Sequence, residues 1–182
     1  MSHLTGKTVA FLATNGFEDS ELTSPWRAVT EHGAAAELLS TDLGTIAGKH
    51  GHQIDVDVTT AAADPSRYDA LVLPGGVVNS DDIRLDDKAV AFVREIFAAG
   101  KPVGVICHGG WILADADVLD GRTITSYPSL RTDLRNAGAL WIDEEVVVDQ
   151  GLVSSRTPAD LSAFNDKLVE EIGEGPHAGQ TA

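Results

Sequence analysis

Val103-Gly104-Val105-Ile106-Cys107-His108-Gly109-Gly110 is the stretch whose reading decides the fold. A short apolar run that ends on small residues fits a strand buried on both faces of a parallel sheet. Here the run passes directly into a thiol and then into residues able to open a helix. Such a strand-to-helix turn is a nucleophile elbow. It holds its reactive side chain in a strained backbone conformation, and flanking glycines let the chain reverse without side-chain collisions. At a helix start the thiol also faces the positive end of the macrodipole and free N–H groups, so a thiolate is expected. The competing reading of a lone cysteine is a small buried apolar residue. The position of Cys107 after an apolar strand and before His-Gly-Gly favours chemistry.

Working outward, Ala70-Leu71-Val72-Leu73 breaks at Pro74-Gly75-Gly76 in the same manner. Between the two runs, Ala89, Phe92, Val93, Ile96 and Phe97 recur at helical spacing before Gly100. A right-handed strand–helix–strand crossover then brings both loops to one sheet edge. Upstream, Thr8 to Ala13 reads as another buried strand closed by Thr14-Asn15-Gly16. Ser24 as cap and Pro25 at the first helical position predict a helix from there to His32, stopped by Gly33. A strand is expected over Ala36 to Ser40, and Thr45 to Val58 reads as a hairpin-like excursion.

Downstream, short strands are expected at Gly121 to Ser126, Ala139 to Trp141, Val146 to Val148 and Leu152 to Ser154, with a helix over Ser129 to Ala137. Thr157-Pro158-Ala159-Asp160 opens a last helix whose buried face is Leu161, Phe164, Leu168 and Ile172. The sequence therefore predicts one α/β domain over 1–173, a mostly parallel central sheet with helices on both faces. Residues 174–182 have little to bury and are expected to be disordered.

Composition narrows the function classes. Among 182 residues, 28 acidic and 13 basic side chains give a formal charge of −15, and 43% of residues are hydrophobic. Such a surface repels phosphate backbones and anionic leaflets, so neither nucleic acid nor membrane is expected as a partner. No apolar run approaches the ~20 residues of a spanning helix, and the start lacks a secretory signal; the expected compartment is the cytoplasm. The single cysteine supplies neither an intramolecular disulfide nor a multi-thiolate metal site. No histidine pair stands at zinc-ligand spacing, so zinc hydrolysis is rejected and neither metal nor cofactor is called for.

Ligands of open parallel sheets bind beyond the carboxyl ends of the strands. Three loops converge there. The elbow offers Cys107, the side chain of His108 and the His108 N–H. The Pro74-Gly75-Gly76 loop offers the Gly76 N–H, which with that of His108 would form an oxyanion hole, each donor contributing ~3 kcal/mol to a tetrahedral intermediate. The loop Asn15-Gly16-Phe17-Glu18-Asp19-Ser20-Glu21 carries three carboxylates in four positions, ordinarily solvated acids.

Phe17-Glu18-Asp19, Gly48-Lys49-His50-Gly51, Leu73-Pro74-Gly75-Gly76, Ile106-Cys107-His108-Gly109, Glu145-Val146-Val147-Val148-Asp149 and Ser155-Arg156-Thr157-Pro158-Ala159-Asp160-Leu161 occur in this order across residues 7 to 173. Together they resemble the PfpI family of intracellular peptidase-like proteins, within a larger set that shares a flavodoxin-like fold with class I glutamine amidotransferases. The resemblance implies that Cys107 is the nucleophile, His108 its neighbouring histidine and Glu18 the acid at the sulfur, with Gly76 and the His108 backbone as oxyanion donors. It also implies a homodimer or higher homo-oligomer in which an acid just beyond Pro-Gly-Gly orients the histidine of a neighbouring subunit. Asp81 is the candidate, with Asp82 the alternative. The family's Cys-His-Gly-Pro is departed from at Gly110, which leaves the pocket wall open.

Glutamine amide transfer is rejected, because its histidine would stand before the last helix, where this chain has Ser155-Arg156-Thr157-Pro158. The expected function is a cysteine-dependent hydrolase linked to stress response. Its substrate is a peptide or a small carbonyl such as methylglyoxal with its early adducts, the second asking less of a small pocket. The alternative is a non-enzymatic redox-sensing or chaperone-like stress protein with an oxidisable thiol.

Overall fold

The carboxyl ends of three parallel strands meet at the centre of the molecule's main sheet, and everything else in the fold supports that edge. The structure, a computed structural model, describes residues 4–180. In chain order the elements are β1 (Thr8–Leu12), α1 (Asp19–Glu31), β2 (Ala35–Ser40), β3 (Thr45–Ala47), β4 (Gln53–Asp55), β5 (Val58–Thr59), β6 (Ala70–Leu73), α2 (Val77–Ile83), α3 (Asp87–Ala98), β7 (Val103–Ile106), α4 (Trp111–Asp115), β8 (Thr123–Ile124), α5 (Arg131–Asn136), β9 (Leu140–Trp141), β10 (Val146–Asp149), β11 (Leu152–Ser155) and α6 (Leu161–Glu174). The main sheet has the order β10-β11-β7-β6-β1-β2-β5. Its pairs are parallel except β10 with β11, and Leu73 lies opposite Val105 at the end that carries the loops.

Alternation along the strands builds two cores. Val9, Phe11, Ala70 and Val72 point to one face, where Leu22 and Val29 of α1 and Phe164, Leu168 and Ile172 of α6 cover them. Ala10, Leu71, Leu73, Val103 and Val105 point to the other, against Ala89, Phe92, Val93, Ile96 and Phe97 of α3 and Leu134 of α5. Both faces are thus buried, which is why these strands read as continuous apolar runs. The predicted crossover helix and the hairpin, now β3 and β4, are present.

Two expectations are corrected. Helix α1 starts at Asp19, not at Ser24, and carries Pro25 inside it. The Glu18 carbonyl accepts the N–H groups of Glu21 and Leu22, which begins the helix early, and the Ser24 hydroxyl instead accepts from Asn165 Nδ2. The tail expected to be disordered packs back over 175–180: the His177 N–H donates to Gly100 O and the Gln180 side chain donates to Lys101 O at 2.7 Å. Its few polar groups find backbone partners that composition does not reveal. Residues 181 and 182 of that expectation lie outside the described residues.

Candidate active site

Cys107 has φ +61, the left-handed region that a side chain rarely occupies, at the first residue after β7. A 3-10 turn over Cys107–Gly110 leads into α4. The reversal is tight: a Cβ on Gly109 would stand 2.4 Å from Leu73 O. The elbow read from the sequence is therefore built by glycine at that contact and by strain at the cysteine.

Gly76 has φ +94, and a Cβ there would lie 2.3 Å from Gly16 O and 2.8 Å from Glu18 N. Buried Asn79 ties this loop to the loop that follows β1, accepting from Thr14 N at 2.7 Å and donating to the Pro74 and Gly75 carbonyls. The Gly76 and His108 N–H groups, the two expected oxyanion donors, both act on the Cys107 thiol and favour its ionised form. Because the atoms opposing a Gly76 side chain are backbone, Gly76→Ala is expected to cost more than about 2 kcal/mol, lowering the melting temperature by roughly 5 °C or more. Differential scanning fluorimetry checks this; a variant that melts with the parent would show that the loop is free to move.

The carboxyl placed beside the thiol is that of Glu21, while Glu18, the acid expected there, lies three residues earlier in the same pocket. Glu21 is wholly buried, accepts the Gly75 N–H on Oε2 at 2.8 Å and stands beside Cys107, the two side chains meeting at Gly75. Its Oε1 has no hydrogen-bond partner. Glu18 lies before the first turn of α1 and pairs with Lys49 Nζ at 2.5 Å, with His50 Nε2 3.5 Å away. It lines the same pocket, but its charge is answered by Lys49. The signal for Glu21 was present in the sequence: it stands four and eight residues before Pro25 and Val29, on the helix stripe that faces the core.

Burial raises the Glu21 carboxyl to about 7, with the nearby Glu18 charge adding to it against the Gly75 N–H. Burial also pushes the Cys107 thiol up to about 12, and the Glu21 charge adds to it. The expected bias toward thiolate is thus corrected for the resting site. Helix α4 spans only five residues, and desolvation beside a carboxylate outweighs the two backbone donors. Of the pair, Glu21 ionises first, so the first negative charge falls on the carboxylate and not on the sulfur.

The His108 ring turns toward the thiol. Its Nδ1 is 3.2 Å from Cys107 Sγ and its Nε2 3.3 Å from Ser129 Oγ. Tyr127 stacks on it at 4.7 Å and Trp111 meets it edge-on. Burial, with the Lys49 charge adding, holds the imidazole below its ordinary value, so it is neutral at neutral pH. Asp81 and Asp82 are exposed on α2, and neither hydrogen-bonds His108 of its own chain; Ser129, which sequence reasoning missed, meets the distal nitrogen instead. Glu18, Glu21, Lys49, Gly76, Cys107, His108, Tyr127 and the Thr157-Pro158 turn line a pocket of about 350 Å³.

A flavodoxin-like sandwich that presents a cysteine from the end of a central strand is the class these features define. Within that class, the chain belongs to the DJ-1/PfpI family, whose model matches residues 7–171. It is 49% identical over 162 residues to Deglycase PH1704 of Pyrococcus horikoshii, covering 89% of this chain and 97% of that protein. Among solved structures, it is similar to a two-domain protein from Anabaena variabilis with DJ-1/ThiJ/PfpI-like and ferritin-like domains. That match has a TM-score of 0.89 at 34% identity and covers 97% of this chain; the chain spans half the length of that protein. Drosophila melanogaster DJ-1beta matches with a TM-score of 0.85 at 26% identity, over 92% of this chain and 90% of that one.

Proposed function

We propose that the protein is a cysteine-dependent hydrolase of small reactive carbonyls and their early adducts with amines, acting as a deglycase. The observation that carries this reading is the pairing of a strained, pocket-lining Cys107 with a buried acid whose pKa is raised to about 7. A base poised near neutral pH is suited to take a proton from a thiol as it attacks. A pocket of about 350 Å³ lies at the small end of the ~300–1,000 Å³ range of ligand sites, which favours a three-carbon dicarbonyl over an extended peptide.

In this mechanism Cys107 Sγ bonds to the aldehyde carbon of methylglyoxal while its proton passes to the Glu21 carboxylate. The carbonyl oxygen, gaining charge, meets the Gly76 and His108 N–H groups. From a hemiaminal adduct, the displaced amine leaves with a proton returned from the same acid. The C1 proton of the hemithioacetal then moves to C2 while its hydroxyl proton passes to the C2 oxygen, giving a thioester, and water releases lactate and restores the thiol. His108, neutral and beside both sulfur and Ser129, moves protons without adding a second charge.

Val77, Val78 and Leu85 are exposed apolar residues on or beside α2, next to Asp81 and Asp82. They support a homo-oligomer in which one of these acids reaches a neighbouring copy's His108. The family and the acidic composition support a cytoplasmic location; no helix among the described residues is long and apolar enough to cross a membrane.

The test is methylglyoxal turnover followed by proton NMR. Lactate is expected as the product, with kcat rising as pH passes through about 7, where Glu21 loses its proton. Disappearance of methylglyoxal without lactate, accompanied by sulfinic acid at Cys107 under mild peroxide, would favour the redox-sensing alternative.

A further inference from the structure

The family model ends at residue 171, and the chain continues past it into a segment whose packing is specific. Gly175, with φ +86, ends α6 and turns the chain, and Gly175-Pro176 brings His177 back toward the last turn of that helix. The return path is close. A Cβ on Gly100 would stand 2.7 Å from His177 O, and one on Gly151 would stand 2.8 Å from the His177 ring. Both glycines lie just before strands, β7 and β11, so this region is at the amino edge of the sheet, opposite the Cys107 pocket.

There Glu171, Glu174 and His177 bring one donor atom each to within 4.8 Å of one another. Glu171 is only 7% exposed. Its Oε2 lies 3.0 Å from His177 Nε2, yet neither buried atom has a hydrogen-bond partner. A buried carboxylate oxygen that no donor hydrogen-bonds is destabilising, and a cation shared by the two atoms would relieve it. We propose that Glu171, Glu174 and His177 form a zinc site that staples the C-terminal segment to α6 and to the amino edge of the sheet.

The donor set selects the ion class. An imidazole with two carboxylates suits zinc and its neighbours and not magnesium or calcium, which take oxygen. Tetrahedral zinc with bonds of ~2.0–2.2 Å places its donors about 3.3 Å apart. Glu171 and His177, 3.0 Å apart, stand within a few tenths of an ångström of that spacing, and Glu174, exposed at the end of α6, is the arm that closes. Water completes the fourth position. Spacing of three residues between successive ligands hid the site in the sequence, because Gly175-Pro176 breaks the helix before the third.

The experiment titrates Zn²⁺ alone into the full chain carrying Cys107→Ser, so that the thiol contributes nothing, with uptake read against a chromophoric chelator and melting temperature followed in parallel. One equivalent bound, with a rise in melting temperature, is expected. Adding His177→Gln is expected to weaken binding at least tenfold and abolish the rise, and Glu174→Gln, on an exposed side chain, should weaken it without touching the fold. No uptake by the Cys107→Ser chain, or uptake unchanged by both further substitutions, overturns the proposal.

Discussion

Cys107→Ser is expected to lower methylglyoxal turnover and adduct hydrolysis by at least about 10³ in kcat/KM while melting close to the parent. The chemical reason is the nucleophile: a hydroxyl is far less acidic and far less polarisable than a thiol, and in this chain it would also be desolvated beside a carboxylate. The structural reason is that serine keeps the same Cβ at the same φ of +61, so elbow strain and packing are unchanged and stability should stay within about 1 kcal/mol. Lactate production by NMR and a parallel melting curve separate the two. Turnover that persists in Cys107→Ser would remove the cysteine from the reaction and with it both the carbonyl and the peptide readings.

The elbow was legible because strand burial and turn geometry leave a strong mark on short windows of sequence. Val103 to Ile106 has to be apolar to lie between two helical layers, and Gly109 has to lack a side chain beside Leu73 O. The same is true of Gly76 beneath Gly16 and Glu18. The carboxyl beside the thiol was harder to read because three carboxylates crowd residues 18 to 21, and resemblance gave order along the chain but not direction around the helix. Periodicity from Pro25 and Val29 back to Glu21 carries that direction. The start of α1 was hidden for a related reason. Ser24 and Pro25 are strong local start signals, yet the helix is begun earlier by the Glu18 carbonyl and by the Asp19 carboxylate, which holds the His50 and His52 N–H groups of the β3–β4 turn. Contacts between segments decided both, and local patterns do not record them.

Glu21→Gln is expected to make the protein more stable and less active, and the stability gain should depend on pH. A carboxyl with a folded-state value of about 7 and an ordinary value of 4.5 binds its proton more tightly in the native state. Between those values the folded protein holds the proton and the unfolded chain releases it, so stability falls as pH rises from about 4.5 to about 7 and stays low above. The full span is on the order of 3 kcal/mol. Glutamine has the same shape, keeps an oxygen for the Gly75 N–H and carries no charge to bury. At pH 8 the variant should therefore melt roughly 6–12 °C above the parent, and at pH 4.5 the difference should shrink toward zero. Turnover moves the other way: without a base against the thiol, kcat should drop by about 10² or more, and the limb of the pH profile near 7 should vanish. Melting curves at the two pH values and a kcat–pH profile test both halves. An equal melting difference at pH 4.5 and pH 8 would mean that Glu21 does not titrate with the fold, and an unchanged profile would mean that the proton from Cys107 goes elsewhere. A buried acid that costs stability where the protein works and has an unsatisfied oxygen facing no partner is explained by chemistry at the neighbouring sulfur, because packing alone would favour glutamine or leucine at that position.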